Sequence, residues 1–96
     1  MTACASTEKA QPVIDELLRR RLAACVQVLP VQSHYIWEGA VQHENEALLF
    51  IKCKTEDYEK IEETILRLHE YDLPEIVRVP ITAGFDRYLS WVADPC

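Results

Sequence analysis

The sequence predicts an α+β domain with the element order β-α-β-β-α-β. This is the ferredoxin-like sandwich, a four-stranded sheet backed on one face by two helices, here followed by a short C-terminal helix. Three observations predict it. Residues 14–22 and 58–68 carry apolar side chains at helical spacing. Stretches rich in β-branched and aromatic residues stand beside them, at 24–38, 46–54 and 75–82. Both helical segments connect strands that can pair in one sheet, as the crossover rule asks.

The elements follow in order. Residues 1–5 read as the end of a short strand. Ser6 or Thr7 offers an N-cap, and Glu8 faces the positive end of the helix dipole. Ile14, Leu17, Leu18 and Leu22 form the first helical stripe, with Asp15, Glu16, Arg19 and Arg20 opposite. Pro12 is tolerated only in a first turn, which argues for a helix starting later than residue 8. In 24–38, Pro30 cannot donate to a central ladder and predicts a bulge or an edge strand. Glu38-Gly39 marks a turn, and a second strand resumes at 46–54. Thr55 caps the second helix, whose stripe is Tyr58, Ile61, Ile65 and Leu68. Residues 71–74 end it, 75–82 form a fourth strand, and Asp86 caps the last helix.

Composition bounds the partners. Ten basic and sixteen acidic residues among 96 give a net charge of −6. That field repels phosphate backbones and anionic lipid heads, so neither nucleic acid nor a membrane surface is an expected partner. No apolar run approaches the roughly 18 residues of a membrane span. Residues 1–7 show neither a basic nor an apolar leader region, so the expected location is cytoplasmic. Cysteines at 4, 25, 53 and 96 lack any C-x-x-C spacing, which leaves free thiols as the expectation in a reducing compartment. Two glycines, no linker and no repeat indicate one domain over residues 1–96.

The 46–54 strand is apolar on both parities: Ala47, Leu49, Ile51 and Cys53 on one, Leu48 and Phe50 on the other. Helices cover one face only, so the other predicts an oligomer whose sheets pack together. The competing reading folds the last helix, with Tyr88 and Trp91, over part of that face. A domain this small also buries only about two-thirds of its unfolded surface and gains from a partner.

Five motifs now stand in order: Arg21-Leu22-Ala23-Ala24-Cys25-Val26; Tyr35-x-Trp37-x-Gly39; Glu46-x-Leu48-Leu49-x-Ile51-Lys52; His69-x-Tyr71-Asp72-x-Pro74-Glu75-Ile76; and Tyr88-Leu89-x-Trp91. Together they resemble the CutA family of divalent-cation tolerance proteins. The resemblance implies a homotrimer related in shape to the PII signalling proteins. It also implies a role in tolerance of copper (Cu2+) or other divalent cations. Some bacterial members are assigned copper ligands at a first-strand Cys and at two adjacent His after the second helix. Aligned without gaps, these positions fall on Thr2, Leu68 and His69, with Cys4 two residues on from Thr2 and on the same side of the strand. The metal ligands implied here are therefore His69 and Cys4. His69 also reads as a plain helix-end residue favoured by the dipole. Cys25 and Cys53 read as core thiols and Cys96 as a terminal, exposed one.

Other candidates come from the residues alone. Lys52 and Glu75 are charges within largely apolar strands, where charges are usually paired. They read either as a structural pair or, with Trp37, Tyr35 and Trp91, as an inter-subunit pocket for a small polar ligand. The second reading makes the chain a PII-like signalling or interaction trimer. His34 and His43 read as a solvated strand end or a surface metal contact. The row of Glu56, Glu59, Glu62 and Glu63 reads as a solvated helix face. No nucleophile–base set, phosphate-cradling loop or carboxylate dyad stands at recognisable spacing, so no enzyme is expected.

Overall fold

The computed structural model describes residues 1–95, so Cys96 lies outside them. Strand β1 spans Thr2–Cys4, helix α1 Thr7–Arg19, strand β2 Cys25–Trp37 and strand β3 Ala40–Lys52. A single 3-10 turn at Thr55–Asp57 leads into helix α2, Tyr58–Leu68, and helix α3 spans Asp86–Ala93. No helix among the described residues is long and apolar enough to cross a membrane.

The sheet has three antiparallel strands in the order β1-β3-β2. The sequence places the second strand of the hairpin at 46–54, but β3 begins six residues earlier. Glu38 and Gly39 both take positive φ, 51° and 79°. That is the primed two-residue turn whose twist matches a hairpin. It locks Trp37 opposite Ala40, and thirteen rungs follow without a bulge down to Cys25 opposite Lys52. Pro30 takes one of these rungs in β2, the outer strand, where a missing N–H is tolerated.

The expected fourth strand is not a regular one. Residues 75–82 meet the sheet only through one bridge, Thr2 to Ile76, reinforced where the Val77 N–H donates to the Met1 carbonyl at 3.1 Å. Beyond Val77, residues 78–85 take no strand and stay exposed, Val79 and Ile81 among them. The alternating pattern was sound, but β1 is three residues long and offers no more ladder.

Helix α1 starts at Thr7 with Ser6 as its cap: the Lys9 N–H donates to the Ser6 hydroxyl at 3.1 Å. Pro12 sits inside the helix rather than in its first turn, on the exposed side, where a carbonyl deprived of its N–H partner stays open to solvent. Ala10, Val13, Ile14 and Leu17 face inward, whereas Leu18, expected on the stripe, is 42% exposed. After Arg20, Arg21 turns left-handed at φ 57°. The Leu22 N–H then donates to the Leu17 carbonyl at 2.9 Å, which closes the helix and drops Leu22 and Ala23 into the core. Neither Thr55 nor Asp86 is a cap. The residue before α2 is Asp57 and the one before α3 is Phe85, and neither makes a side-chain capping bond.

The two long helices cover one face of the inner half of the sheet. Leu17, Leu49, Ile61 and Ile65 meet there with Cys4 in one buried cluster. The opposite face carries Leu29 and Phe50, both exposed. Helix α3 meets its margin where the Lys52 ammonium donates to the Tyr88 hydroxyl at 3.0 Å. Among the described residues neither helix nor further strand lies on the outer half of the hairpin, and Ile36 and Val41 are 75% and 76% exposed.

Candidate functional site

Two of the sequence candidates come together. β1 carries Cys4 alongside the chain that leaves α2, and the Cys4 thiol lies 3.6 Å from Nε2 of His69. His69 is the C-cap of α2, its N–H donating to the Ile65 carbonyl at 2.8 Å. Its ring does not reach back to the helix carbonyls. It turns inward, the side chain fully buried at 0% exposure.

The ring's bonds define its state. The Tyr71 amide, which can only donate, gives its N–H to Nδ1 at 3.0 Å. Nδ1 therefore carries no proton, and Nε2 does. That Nε2–H donates to the Ala3 carbonyl at 2.8 Å. The ring thus clips the exit of α2 onto the first strand through two backbone groups. Glu70 adds a second clip: its carboxylate accepts the Ala5 N–H at 3.1 Å. The other Glu70 oxygen lies 3.8 Å from Nδ1, but an unprotonated nitrogen makes no ion pair with it.

The Cys4 thiol is correspondingly quiet. Burial, aided by the Glu70 and Glu46 carboxylates, pushes it up to about 11. With Nε2 already protonated, the imidazole cannot take the thiol proton, so this is not an activated Cys–His pair. Tyr71 stacks obliquely on His69, ring centres 4.8 Å apart, and its hydroxyl donates to Glu46 at 2.9 Å. Burial first, then that bond and the nearby carboxylates, hold the phenol well above its ordinary value.

A thiol and an imidazole are the donors copper prefers, and their separation suits a shared ion. As arranged, however, they do not fit a resident metal. Both ring nitrogens are engaged by the backbone, the thiol is protonated, and no group of three His, Cys, Asp or Glu side chains converges among the described residues. Sequence reasoning missed this because the ring's partners are main-chain atoms, one of them 66 residues away.

The other candidates do not meet within one chain. Lys52 pairs with Tyr88, not with Glu75, and its ammonium also lies over the Tyr88 ring at 5.3 Å. The bond to Tyr88 holds its pKa above the ordinary lysine value. Glu75 is exposed beside the bridge at Ile76. Trp37 closes the turn at the far end of the thirteen-rung ladder from Lys52, roughly 40 Å away at the usual rise per strand residue. Cys25 and Cys53 are partly buried. His34 and His43 face each other across the hairpin, ring centres 5.8 Å apart.

Comparison with known proteins places this arrangement. The family model "CutA1 divalent ion tolerance protein" matches residues 1–95. The chain is 41% identical over 86 residues to the chloroplastic CutA protein of Arabidopsis thaliana, covering 88% of this chain but 47% of that protein, about half its length. It is 40% identical over 90 residues to the divalent-cation tolerance protein CutA of Thermus thermophilus, covering 93% of this chain and 87% of that protein. The solved Thermus thermophilus structure superposes with a TM-score of 0.92 at 38% identity, over 97% of this chain and 91% of the other. The Archaeoglobus fulgidus structure, described as a periplasmic divalent cation tolerance protein, gives 0.91 at 30% identity, over 95% and 89%.

Proposed function

We propose, from the premise that the chain belongs to the CutA1 divalent ion tolerance family, that it serves tolerance of divalent cations, copper among them, as a homotrimer and not as an enzyme. The observation that carries the trimer is the unpartnered half of the molecule. Ile36, Val41, Val79, Ile81 and Phe85 are each more than half exposed, and residues 78–82 are exposed and take no regular secondary structure. Large apolar side chains left in water and an exposed segment without a ladder partner are what a monomer avoids and a subunit uses.

Capture of copper at Cys4 and His69 requires this chain to do two things. The ring must release the Ala3 carbonyl, and the thiol must ionise although burial opposes it. Metal held there is exchangeable, not structural.

Light scattering at micromolar concentration is expected to give three chain masses; a single-chain mass refutes the trimer. Calorimetric titration of the reduced, metal-free protein with Cu(II) tests the pair. Saturable binding tighter than about 10 μM, or roughly −7 kcal/mol, that is lost in His69→Ala supports it. Binding that ignores the substitution removes the pair from the copper reading.

A second reading has its own observation. Trp37 and Lys52 stand at opposite ends of one hairpin, so they can share a site with Glu75 only across subunits. Such a pocket binds a small polar ligand, and a metabolite thermal-shift screen that finds no stabiliser discards it.

A further inference from the structure

We propose that His34 and His43 form a second metal site, an exchangeable one for a divalent transition-metal cation of the Zn(II) or Cu(II) class, on the outer half of the hairpin. The two residues are directly opposed in the β2–β3 register. Directly opposed side chains leave an antiparallel pair on the same face. Their rings lie 27° from parallel with centres 5.8 Å apart. Two imidazoles bound to one ion at metal–nitrogen distances of about 2.0–2.1 Å place their ring centres no more than roughly 6.4 Å apart. The observed spacing lies inside that reach, and rotation about χ2, a soft torsion, turns the nitrogens inward.

The surroundings complete the site. Gln32 and Asn45 form the next rung on the same face and border, with the two histidines and Glu44, a concavity of about 200 Å³. Their amide oxygens, with water, are the remaining ligands. In the single chain both histidines are exposed, on the face that also carries Ile36 and Val41, and among the described residues neither ring is committed to a hydrogen bond, unlike His69. Imidazole donors select Zn(II), Cu(II) or Ni(II) over Ca(II) and Mg(II), and the net charge of −6 raises the local cation concentration. Two protein nitrogens, against the four ligands of a structural zinc site, make the ion exchangeable. No part of this site depends on Cys4 or His69.

The test is a Zn(II) titration of the full, reduced, metal-free chain by calorimetry, with histidine ring NMR in parallel. The site predicts one ion per chain, shifted ring signals for His34 and His43, and affinity at least tenfold weaker in both His34→Gln and His43→Gln. Unchanged circular dichroism verifies the fold of the variants, and an unchanged light-scattering mass verifies that they assemble as the parent does. Cys4→Ala is expected to bind Zn(II) as the parent does, so failure of the Cys4–His69 reading is scored separately. Absence of saturable binding, binding indifferent to both glutamine substitutions, or binding lost in Cys4→Ala overturns the proposal.

Discussion

The inner and outer halves of the hairpin are one continuous ladder, yet they live in different surroundings. At the inner half, Leu49 is sealed beneath α1 and α2, and His69 spends both ring nitrogens on backbone partners. At the outer half, Ile36 and Val41 stand in water and His34 and His43 meet only each other. The same residue types therefore carry different meanings. An imidazole whose lone pair and proton are both consumed is a structural clip, whereas one with neither consumed is a ligand in waiting. Family membership directs attention to the first; the geometry leaves the second free to act.

The sharpest way to break this contrast is to delete the same kind of atoms from each half. Leu49→Ala should cost about 3–4 kcal/mol in urea unfolding at any protein concentration, because it opens a cavity in a sealed cluster. In the proposed trimer Ile36→Ala should act only through the concentration-dependent part of stability, since there its side chain gains burial only on assembly. A concentration-independent loss of similar size at Ile36 would erase the distinction.

The histidines offer the next largest effect. His69→Ala leaves the Tyr71 amide and the Ala3 carbonyl unpaired and should cost about 2–4 kcal/mol. His34→Gln should stay within about 0.5 kcal/mol. Chemical denaturation of both variants checks the pair.

The last contrast is an alkaline one. The Cys4 thiol is raised from 9.0 to about 11 in the folded chain. Above pH 9 the unfolded thiol gives up its proton while the folded one keeps it, so the unfolded state binds fewer protons and stability falls as pH rises. This contribution is fully present below pH 9 and is lost between pH 9 and 11. Cys4→Ala should flatten that part of the stability–pH curve, and no cysteine on the outer half can do so, because none lies there.

Much of the fold was legible from the chain because its signals are local. Glu38-Gly39 declared the turn, and the stripes of α1 and α2 declared the helices. What escaped depended on distant partners. His43, Glu44 and Asn45 are poor strand formers, so the first half of β3 read as a strand end. It is strand because the turn fixes its register against β2. That same register was the available signal for the facing histidines: each lies four residues from its side of the turn. Residues 75–82 had a strand's pattern, but no strand in this chain is long enough to receive them. For the site, the resemblance implied Cys4 and His69 as ligands without requiring that they meet in one chain; their meeting at 3.6 Å and the engagement of both ring nitrogens escaped, because distant partners and backbone carbonyls and amides leave no mark in a sequence.

The thirteen-rung hairpin also has a consequence in time. Its first contacts join residues three apart across the turn, so loop closure costs little entropy there. Hairpins of this kind form in roughly 1–10 μs. The clip from His69 to Ala3, by contrast, joins residues 66 apart and must wait for α2 to dock. The outer half, bare in the finished chain, is therefore the earliest piece to take shape. In the proposed trimer, a nascent subunit would present its adhesive end before its own core is shut, and meeting its partners would be a race between folding and encounter.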